Sequence, residues 1–215
     1  MRLMFDHSVL LSLVTLLAVA TPAMADMDNA PQRSLLVSVG VAQQSIGTIN
    51  SDLLGKGYSN ITLNDDKQTN SIAVGYRHPL DDHWSIDTHY LDQDKAKPQL
   101  QATLPTGKTN AQAAQEIAEL HPDRGQGLSV VALHHHPLGT ATLQSGIGAF
   151  AWHSEHDVTV GSTTHTTKNE GLSPLVQLGL GYPLTHNVRL EGNIQHFFMP
   201  DEAVDRVTVG LAIGL

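Results

Sequence analysis

The sequence contains no cysteine, few aromatic residues and little positive charge. Without cysteine there can be no disulfide scaffold, so an exported form of this chain must be stabilised by packing and backbone pairing. Lys and Arg number 12 against 21 Asp and Glu, which gives a net charge of −9. Nucleic-acid-binding proteins need a basic surface to neutralise phosphates. We therefore expect no nucleic-acid partner.

The sequence also lacks a long apolar run. A membrane helix requires roughly 20 apolar residues, and no stretch after residue 25 approaches that length. The run Val9–Ala20 follows Arg2 and precedes Thr21-Pro-Ala-Met-Ala25, which predicts a secretory signal peptide with an A-x-A cleavage site. This run is too short for an uncleaved anchor. We therefore expect a cleaved signal peptide, residues 1–25, followed by a single domain, residues 26–215.

The remaining sequence shows a period-two alternation of large apolar and small or polar residues. This pattern is typical of strands with one apolar and one polar face. In the last segment Val209 and Leu211 share one face, and Thr208 and Gly210 share the other. Eight strands are predicted in this way, at about 33–44, 69–78, 83–92, 127–136, 140–153, 171–182, 187–198 and 206–215. The phase of the fourth and fifth strands stays open, because the segment 130–133 fits either face.

The connections between these strands alternate in length. Three short ones, 78–83, 136–140 and 182–187, carry a Pro-Leu pair, and proline ends a ladder because it cannot donate a hydrogen bond. The others are long, at about 45–68, 93–126 and 154–170, or intermediate, at 199–205. Long outer loops and short periplasmic turns are typical of outer-membrane barrels. We therefore predict an all-β fold, a single eight-stranded antiparallel up-and-down transmembrane β-barrel with both termini periplasmic.

The second long connection contains a helix-prone segment, 110–120, for which we predict a short surface helix. We expect this helix to cover the barrel mouth; a ligand-binding or lid element is the alternative. The aromatic residues predict two sparse interfacial girdles. The girdle near the turns consists of Tyr76, Trp84 and Tyr182. The girdle near the long loops consists of Tyr90, Phe150, Trp152, Phe197 and Phe198.

The C-terminal third resembles a known family. The turn Tyr182-Pro-Leu-Thr-His-Asn187, the segment 188–192 and the closing strand Val207–Leu215 are similar to those of OmpA-like outer-membrane β-barrels. The resemblance implies an outer-membrane location and insertion by the barrel-assembly machinery. It also implies a structural, surface-interaction or porin-like role, without the peptidoglycan-binding domain of OmpA itself. Family members usually end in an aromatic residue, whereas this chain ends in Leu215.

Five titratable residues fall on the predicted inner face: Arg77, Asp87, His89, Arg189 and Glu191. The turns suggest that the two arginines lie in one layer and the two carboxylates one pleat further in. Buried charges must pair, and an eight-stranded interior is just wide enough for side chains. We therefore expect a structural ionic plug in a polar lumen, with a narrow gated pore for ions or small solutes as the alternative.

Two further motifs raise alternatives. The segment His153-Ser-Glu-His-Asp157 has the residue types of outer-membrane enzymes that modify lipid A. Adjacent strand residues point to opposite faces, however, so His153 and Ser154 should not share a proton and we expect no catalytic residues. The segment 134–136 is three histidines, with His78, His83 and His186 near neighbouring turns. Consecutive strand residues cannot all face one ion, so we expect interfacial histidines, no metal and no cofactor.

The sequence also predicts the partners of the protein. The partners should be outer-membrane lipid, lipopolysaccharide and, during insertion, the barrel-assembly machinery; the sequence names no extracellular partner. A soluble periplasmic barrel that binds a small apolar ligand is a different class of alternative. It would place the apolar faces inward, and the polar inner faces of the second, third and seventh predicted strands disfavour it.

Overall fold

The structure is a computed structural model that describes residues 30–44, 49–64, 68–93, 99–120, 125–199 and 203–215. The predicted signal peptide, residues 1–25, lies outside these ranges. In the described part of the chain no helix is long and apolar enough to cross a membrane.

The described residues form ten strands and two helices. In chain order these are β1 (Ser34–Gln44), α1 (Ile49–Gly55), β2 (Ser59–Asn64), β3 (Gln68–Pro79), β4 (Trp84–Gln93), β5 (Gln99–Thr103), α2 (Asn110–Leu120), β6 (Gln126–Leu138), β7 (Ala141–Val160), β8 (Thr163–Pro183), β9 (Val188–Phe198) and β10 (Ala203–Gly214).

Eight of these strands form a closed antiparallel ring in the order β1-β3-β4-β6-β7-β8-β9-β10. The ring closes because β1 pairs on one side with β3 and on the other with β10: Ser34 lies opposite both Arg77 and Gly214. A closed ladder satisfies the backbone polar groups without leaving an edge, as a bilayer requires. The predicted eight-stranded antiparallel transmembrane barrel is confirmed.

The two ends of the barrel differ. One end, the turn end, carries the three short connections together with residue 30 and Leu215; the other, the loop end, carries the longer connections. At the turn end Pro79 and Pro183 each close a strand. The Oδ1 atom of Asp81 then accepts the N–H groups of His83 and Trp84, at 2.7 and 2.8 Å. These hydrogen bonds explain why the Pro-Leu motif marks a tight turn.

The outer surface of the ring is an apolar band. On β8 the outward residues Leu172, Val176 and Leu178 are 41–72% exposed, while the inward side chains between them, at positions 173, 175 and 177, are buried. From position 172 to 182 a strand rises about 33 Å, which at a tilt of about 40° gives a band about 25 Å high. Transmembrane barrels carry a band of this height. Beyond it the outward face becomes polar, with Lys168 and Glu170 both exposed.

The prediction of a third long loop at 154–170 is wrong. Strand β7 continues to Val160 and β8 begins at Thr163, so the segment is a paired hairpin that projects past the apolar band. Its tip includes Gly161, whose φ of +60° suits a tight turn. The prediction failed because the outward side chains of this extension are polar, with cross-strand pairs Glu155–Lys168 and Asp157–Thr166. Such a segment lacks the apolar face by which the membrane strands were recognised.

The predicted helix at 110–120 is confirmed as α2, but three elements around it were not foreseen. Helix α1 and strands β2 and β5 join α2 and the tip of the β7–β8 hairpin to form what we call the loop-end cap. Strand β5 pairs with β2 and, in parallel, with Thr159 and Val160 of β7. The cap has its own hydrophobic core, made of Leu53, Tyr58, Ala113, Ala114, Ile117, Val158 and Val160.

Candidate functional site

The lumen contains an ionic cluster centred on Arg77. This arginine is 2% exposed. Its Nε and Nη2 atoms donate to the two oxygens of Asp87, at 2.8 and 2.7 Å. Its Nη1 and Nη2 atoms donate to those of Glu191, at 2.6 and 3.1 Å. One guanidinium thus joins strands on opposite sides of the lumen by two bidentate contacts, the strongest geometry that Arg and carboxylates form.

Neutral side chains complete the coordination of these carboxylates. The Gln144 amide donates to Glu191 at 2.9 Å. The hydroxyl of Ser85 donates to Asp87 at 3.2 Å and also lies 2.8 Å from Nε2 of His135. Buried charges are tolerated when they are paired and hydrogen-bonded. Both conditions hold here, so the ionic cluster can fill the lumen without an uncompensated carboxylate.

The five residues predicted to face the lumen do not all belong to the ionic cluster. The structure brings Arg77, Asp87 and Glu191 into contact. The expected offset of one pleat between Arg77 and Asp87 is wrong, because the turn at 80–83 sets them directly opposite each other. Arg189 packs beside Gly181 and lines a cavity of about 220 Å³ at the turn end, which Arg77 also borders. His89 faces the lumen beside Gly75, where a Cβ atom would lie 2.5 Å from the imidazole ring.

A second polar layer was not foreseen and is centred on Arg206. Its Nε and Nη1 atoms donate to Ser71 and Gln195, both at 2.7 Å. Gln195 in turn donates to Gln177 at 2.7 Å. The alternation on the last strand already assigns position 206 to the same face as Thr208 and therefore signals an inward arginine. We did not predict this layer because the phase of the strand was assigned from residues 207–215, and Arg206 stands at the first position of the predicted strand.

A set of buried apolar side chains, the apolar layer, fills much of the remaining lumen. The rings of Phe150 and Phe197 meet edge to face, with centroids 5.1 Å apart. The indole of Trp152 donates to Ser173 at 2.9 Å. Inward residues from all sides of the ring, each at most 5% exposed, complete the layer: Ala42, Ala73, Leu91, Val131, Leu133, Leu175 and Val204. Side chains so fully covered leave no room for water beside them.

This layer corrects two expectations about the lumen. The interior is not uniformly polar, because β6, the fourth of the predicted strands, directs Val131 and Leu133 inward and Val130 outward. The girdle predicted near the long loops is also wrong in part. Phe150, Trp152 and Phe197 lie inside the barrel, and only Tyr90 and Phe198 of that group face outward. The sequence signal was ambiguous, since an apolar residue on a short strand suits either lipid or a packed interior.

Outside the lumen, Glu116 anchors the loop-end cap. It accepts hydrogen bonds from Tyr58, at 2.7 Å, and from Lys108, and it pairs with Lys56 at 3.1 Å. Burial raises the pKa of this carboxyl, but the hydrogen bonds from Lys108, Tyr58 and Lys56 outweigh it and lower the pKa to about 2. The ammonium of Lys108 also lies 4.9 Å from the centre of the Tyr58 ring. Glu116 thus ties α2 to the segment that follows α1.

Comparisons with known proteins agree with this geometry. No protein-family model matches the chain, and no curated protein matches it either. Among solved structures, Neisserial surface protein A aligns with a TM-score of 0.50 and 11% identity over 86% of this chain and 99% of its own. The chain has the fold of an eight-stranded outer-membrane β-barrel. Two Pseudomonas aeruginosa proteins also align at lower scores: OprG with a TM-score of 0.46, 10% identity and coverage of 87% and 98%, and the N-terminal barrel of OprF with 0.45, 11% and coverage of 85% and 97%.

The His-Ser-Glu-His-Asp segment of this barrel lies within β7, which continues beyond it. His153 is exposed on the outward face, whereas Ser154 is 1% exposed on the inward face. The two side chains are therefore separated by the strand itself. A nucleophile and its base need to be within hydrogen-bond distance of each other, and this pair is not arranged in that way.

The triple-histidine segment is divided between the two faces of β6. His135 points inward, while His134 faces outward with its ring 4.9 Å from that of Trp84 and 6.2 Å from that of His83. Among the described residues, no group of three or more His, Cys, Asp or Glu side chains is arranged to hold a metal ion. Together with the outward Tyr76, these rings form an aromatic belt at the turn end.

Proposed function

We propose that this protein is an OmpA-like outer-membrane barrel of a Gram-negative bacterium with a structural or surface-interaction role. The observation that carries the proposal is the filled lumen: the ionic cluster around Arg77, the polar side chains around Arg206 and a set of buried apolar side chains all lie inside the barrel. A barrel filled in this way offers its surfaces, and no interior site, for interaction. The fold and the predicted signal peptide at residues 1–25 support the location.

The orientation follows from the difference between the two ends. Short turns are typical of the periplasmic side of such barrels and long loops of the extracellular side. We therefore propose that the turn end and both termini are periplasmic and that the loop-end cap is extracellular. The cap is a folded structure with a core of its own. It is thus the region we propose for contact with an extracellular partner.

The proposed partners within the membrane follow from the apolar band. Outer-membrane lipid and lipopolysaccharide would contact the band and its polar upper edge, and the barrel-assembly machinery would act on the closing strand during insertion. We propose no nucleic-acid partner, no cofactor and no catalytic role. The separation of His153 from Ser154 supports the last point. Identical lipid A mass spectra from cells with and without the protein are the expected result; an altered acylation pattern would contradict it.

Location and orientation can be tested in the same cells. We expect the protein in the outer-membrane fraction, with heat-modifiable migration on a gel. A protease added to intact cells should cut within the loop-end cap, whereas an epitope fused after Leu215 should become accessible only after the outer membrane is opened. Recovery in the soluble periplasm, or surface labelling of the C-terminal epitope, would contradict the proposal.

A narrow gated pore is the second candidate, and one observation favours it. The cavity of about 220 Å³ at the turn end reaches Arg77, so solvent could approach the ionic layer from that side. Planar-bilayer recording of the pure protein distinguishes the two functions. We expect no conductance from the wild type and none from Arg77→Ala or Glu191→Ala. Discrete openings that change in either variant would support the gated pore instead.

A further inference from the structure

Three histidine side chains form a row on the outward surface at the turn end. The ring of His134 lies 6.2 Å from that of His83 and 6.5 Å from that of His136, and the ring planes of the two pairs are inclined by only 21° and 27°. His83 and His136 are exposed, whereas His134 is half-buried. We call these three side chains the histidine row. The proposed surface role makes no use of them.

The histidine row lies at the edge of the apolar band. On β6 the outward residues Leu128 and Val130 are 55% and 48% exposed, and the outward positions nearer the turn end include His134 and His136. Trp84, which is 43% exposed, meets the ring of His134 edge-on at 4.9 Å. An outward tryptophan at this boundary is typical of the level of the lipid headgroups. The imidazoles therefore lie beside headgroups and not beside acyl chains.

The charged and titratable groups that face the row come from β3 and from the turn between β3 and β4. Asp81 and Asp82 of this turn are exposed, as is His78 on β3. Strand β4 adds no charged outward residue near the row. On the other side, β7 places the uncharged Leu143 and Ser145 opposite the row. The negative charge next to the row is thus limited to two carboxylates in the described part of the chain.

The charge of this surface changes with pH. Imidazole is the side chain that takes up a proton between about pH 8 and pH 5. The backbone N–H groups of His83 and Trp84 donate to Asp81 and hold the pKa of its carboxyl below its usual value, so this carboxylate stays charged over the same interval. Protonation of the row and of His78 adds up to four positive charges beside the two carboxylates. This gain does not depend on charges elsewhere in the chain.

We propose that the histidine row binds the headgroups of anionic phospholipids when its imidazoles are protonated. A protonated imidazole donates hydrogen bonds from both of its nitrogen atoms, and cations beside a membrane surface attract anionic lipid. The inference deepens the proposed contact with outer-membrane lipid by naming a class of lipid. It rests on the proposed orientation only for the leaflet concerned, which is the periplasmic one.

Fluorescence quenching by brominated lipid tests the proposal, because the chain contains two tryptophans in different surroundings. Trp84 lies beside the row, whereas Trp152 is 5% exposed inside the barrel. The purified protein is reconstituted into vesicles of phosphatidylcholine and phosphatidylglycerol, in which one lipid or the other carries bromine on its acyl chains near the headgroup. Bromine quenches on contact, so the loss of Trp84 emission reports which lipid occupies that surface. A chelator and constant ionic strength exclude bound metal ions and differences in screening.

The wild type should become selective for the anionic lipid as the pH falls. We expect its preference for phosphatidylglycerol over phosphatidylcholine to rise about fivefold from about pH 8 to about pH 5, the effect of roughly one cation beside an anionic lipid. Added salt should reduce the preference at the lower pH, because the attraction between exposed charges is screened.

Variants locate the effect. The triple variant His83→Gln, His134→Gln and His136→Gln should keep the preference measured at the higher pH and lose the rise. His136→Gln alone should reduce the rise. His153→Gln is its matched control, since it also removes one exposed outward imidazole but near the loop end, and it should respond like the wild type. Heat-modifiable migration on a gel verifies that each variant is folded.

An equal preference at both pH values in the wild type, or an undiminished rise in the triple variant, would overturn the proposal. Neither result would bear on the proposed surface role, which the protease and epitope experiments test separately.

Discussion

Removal of the Arg77 guanidinium is the most informative perturbation of the lumen. In Arg77→Met the two carboxylates of Asp87 and Glu191, 1% and 5% exposed, stay buried without a cation. Breaking a buried ion pair by removing one partner costs about 3–5 kcal/mol. This corresponds to a rise of roughly two to four orders of magnitude in the unfolding equilibrium constant. We expect the upper part of this range, because two carboxylates lose their partner at once.

The matched variant removes all three charges together. In Arg77→Met combined with Asp87→Asn and Glu191→Gln no ion is left uncompensated, and replacing a whole buried ion cluster is often neutral or stabilising. We expect this triple variant to recover most of the stability lost in the single one. Urea unfolding in phospholipid vesicles measures both, with Trp84 and Trp152 as fluorescent reporters on opposite faces of the wall. A loss below about 1 kcal/mol in the single variant, or a triple variant no more stable than it, would refute the assignment of a cooperative ionic plug.

Three further predictions concern the cap, the packing and the assembly of the barrel. Because the pKa of Glu116 is about 2 when folded and near 4.5 when unfolded, its stabilisation of the cap is complete above pH 4.5 and is lost as the pH falls toward 2. The protection factors of the α2 amides, which compare observed with intrinsic exchange rates, should fall over that interval in the wild type, whereas Glu116→Gln should show low protection at all pH values. Gly171→Ala places a Cβ atom 2.6 Å from the indole of Trp152, so we expect a loss of about 1–3 kcal/mol and a shifted tryptophan emission; Gly55→Ala, which meets nothing within 4 Å, is the control and should leave the emission unchanged. Leu215→Phe supplies the terminal aromatic residue implied by the family resemblance and should raise the folded fraction in cells on a heat-modifiability gel; an unchanged fraction would show that Leu215 does not limit assembly.

The membrane part of this fold could be predicted from the sequence because the bilayer imposes a simple pattern. Outward residues must be apolar at every second position, and that constraint is visible in segments such as 207–215. The Pro-Leu pairs add the strand ends, since proline cannot continue the ladder. Strands β7 and β8 show where this pattern no longer identifies a strand. Once they leave the band, their outward residues become polar and the strand continues without its membrane signature.

The interior was harder to predict than the wall. Arg77, Asp87 and Glu191 were recognised because charged residues stand out among the small residues of an inner face. Phe150, Trp152 and Phe197 were misassigned, because an apolar side chain carries no mark of whether lipid or a packed lumen surrounds it. Only the phase of the whole strand decides whether an apolar residue faces the lipid or the lumen, and the sequence of β6 fits both phases equally well. Long-range packing, such as the contact between Phe150 and Phe197, is not encoded in any local period.

The closed lumen is the central claim, and cysteine accessibility tests it most directly. The chain contains no cysteine, so Ala73→Cys introduces one thiol into the apolar layer, at a position that is 1% exposed. Thr166→Cys on the exposed face of the hairpin is the matched control. With a small charged methanethiosulfonate reagent, we predict fast modification at position 166 and none at position 73 while the barrel is folded. Modification of both thiols at comparable rates would show a water-filled lumen and contradict the account.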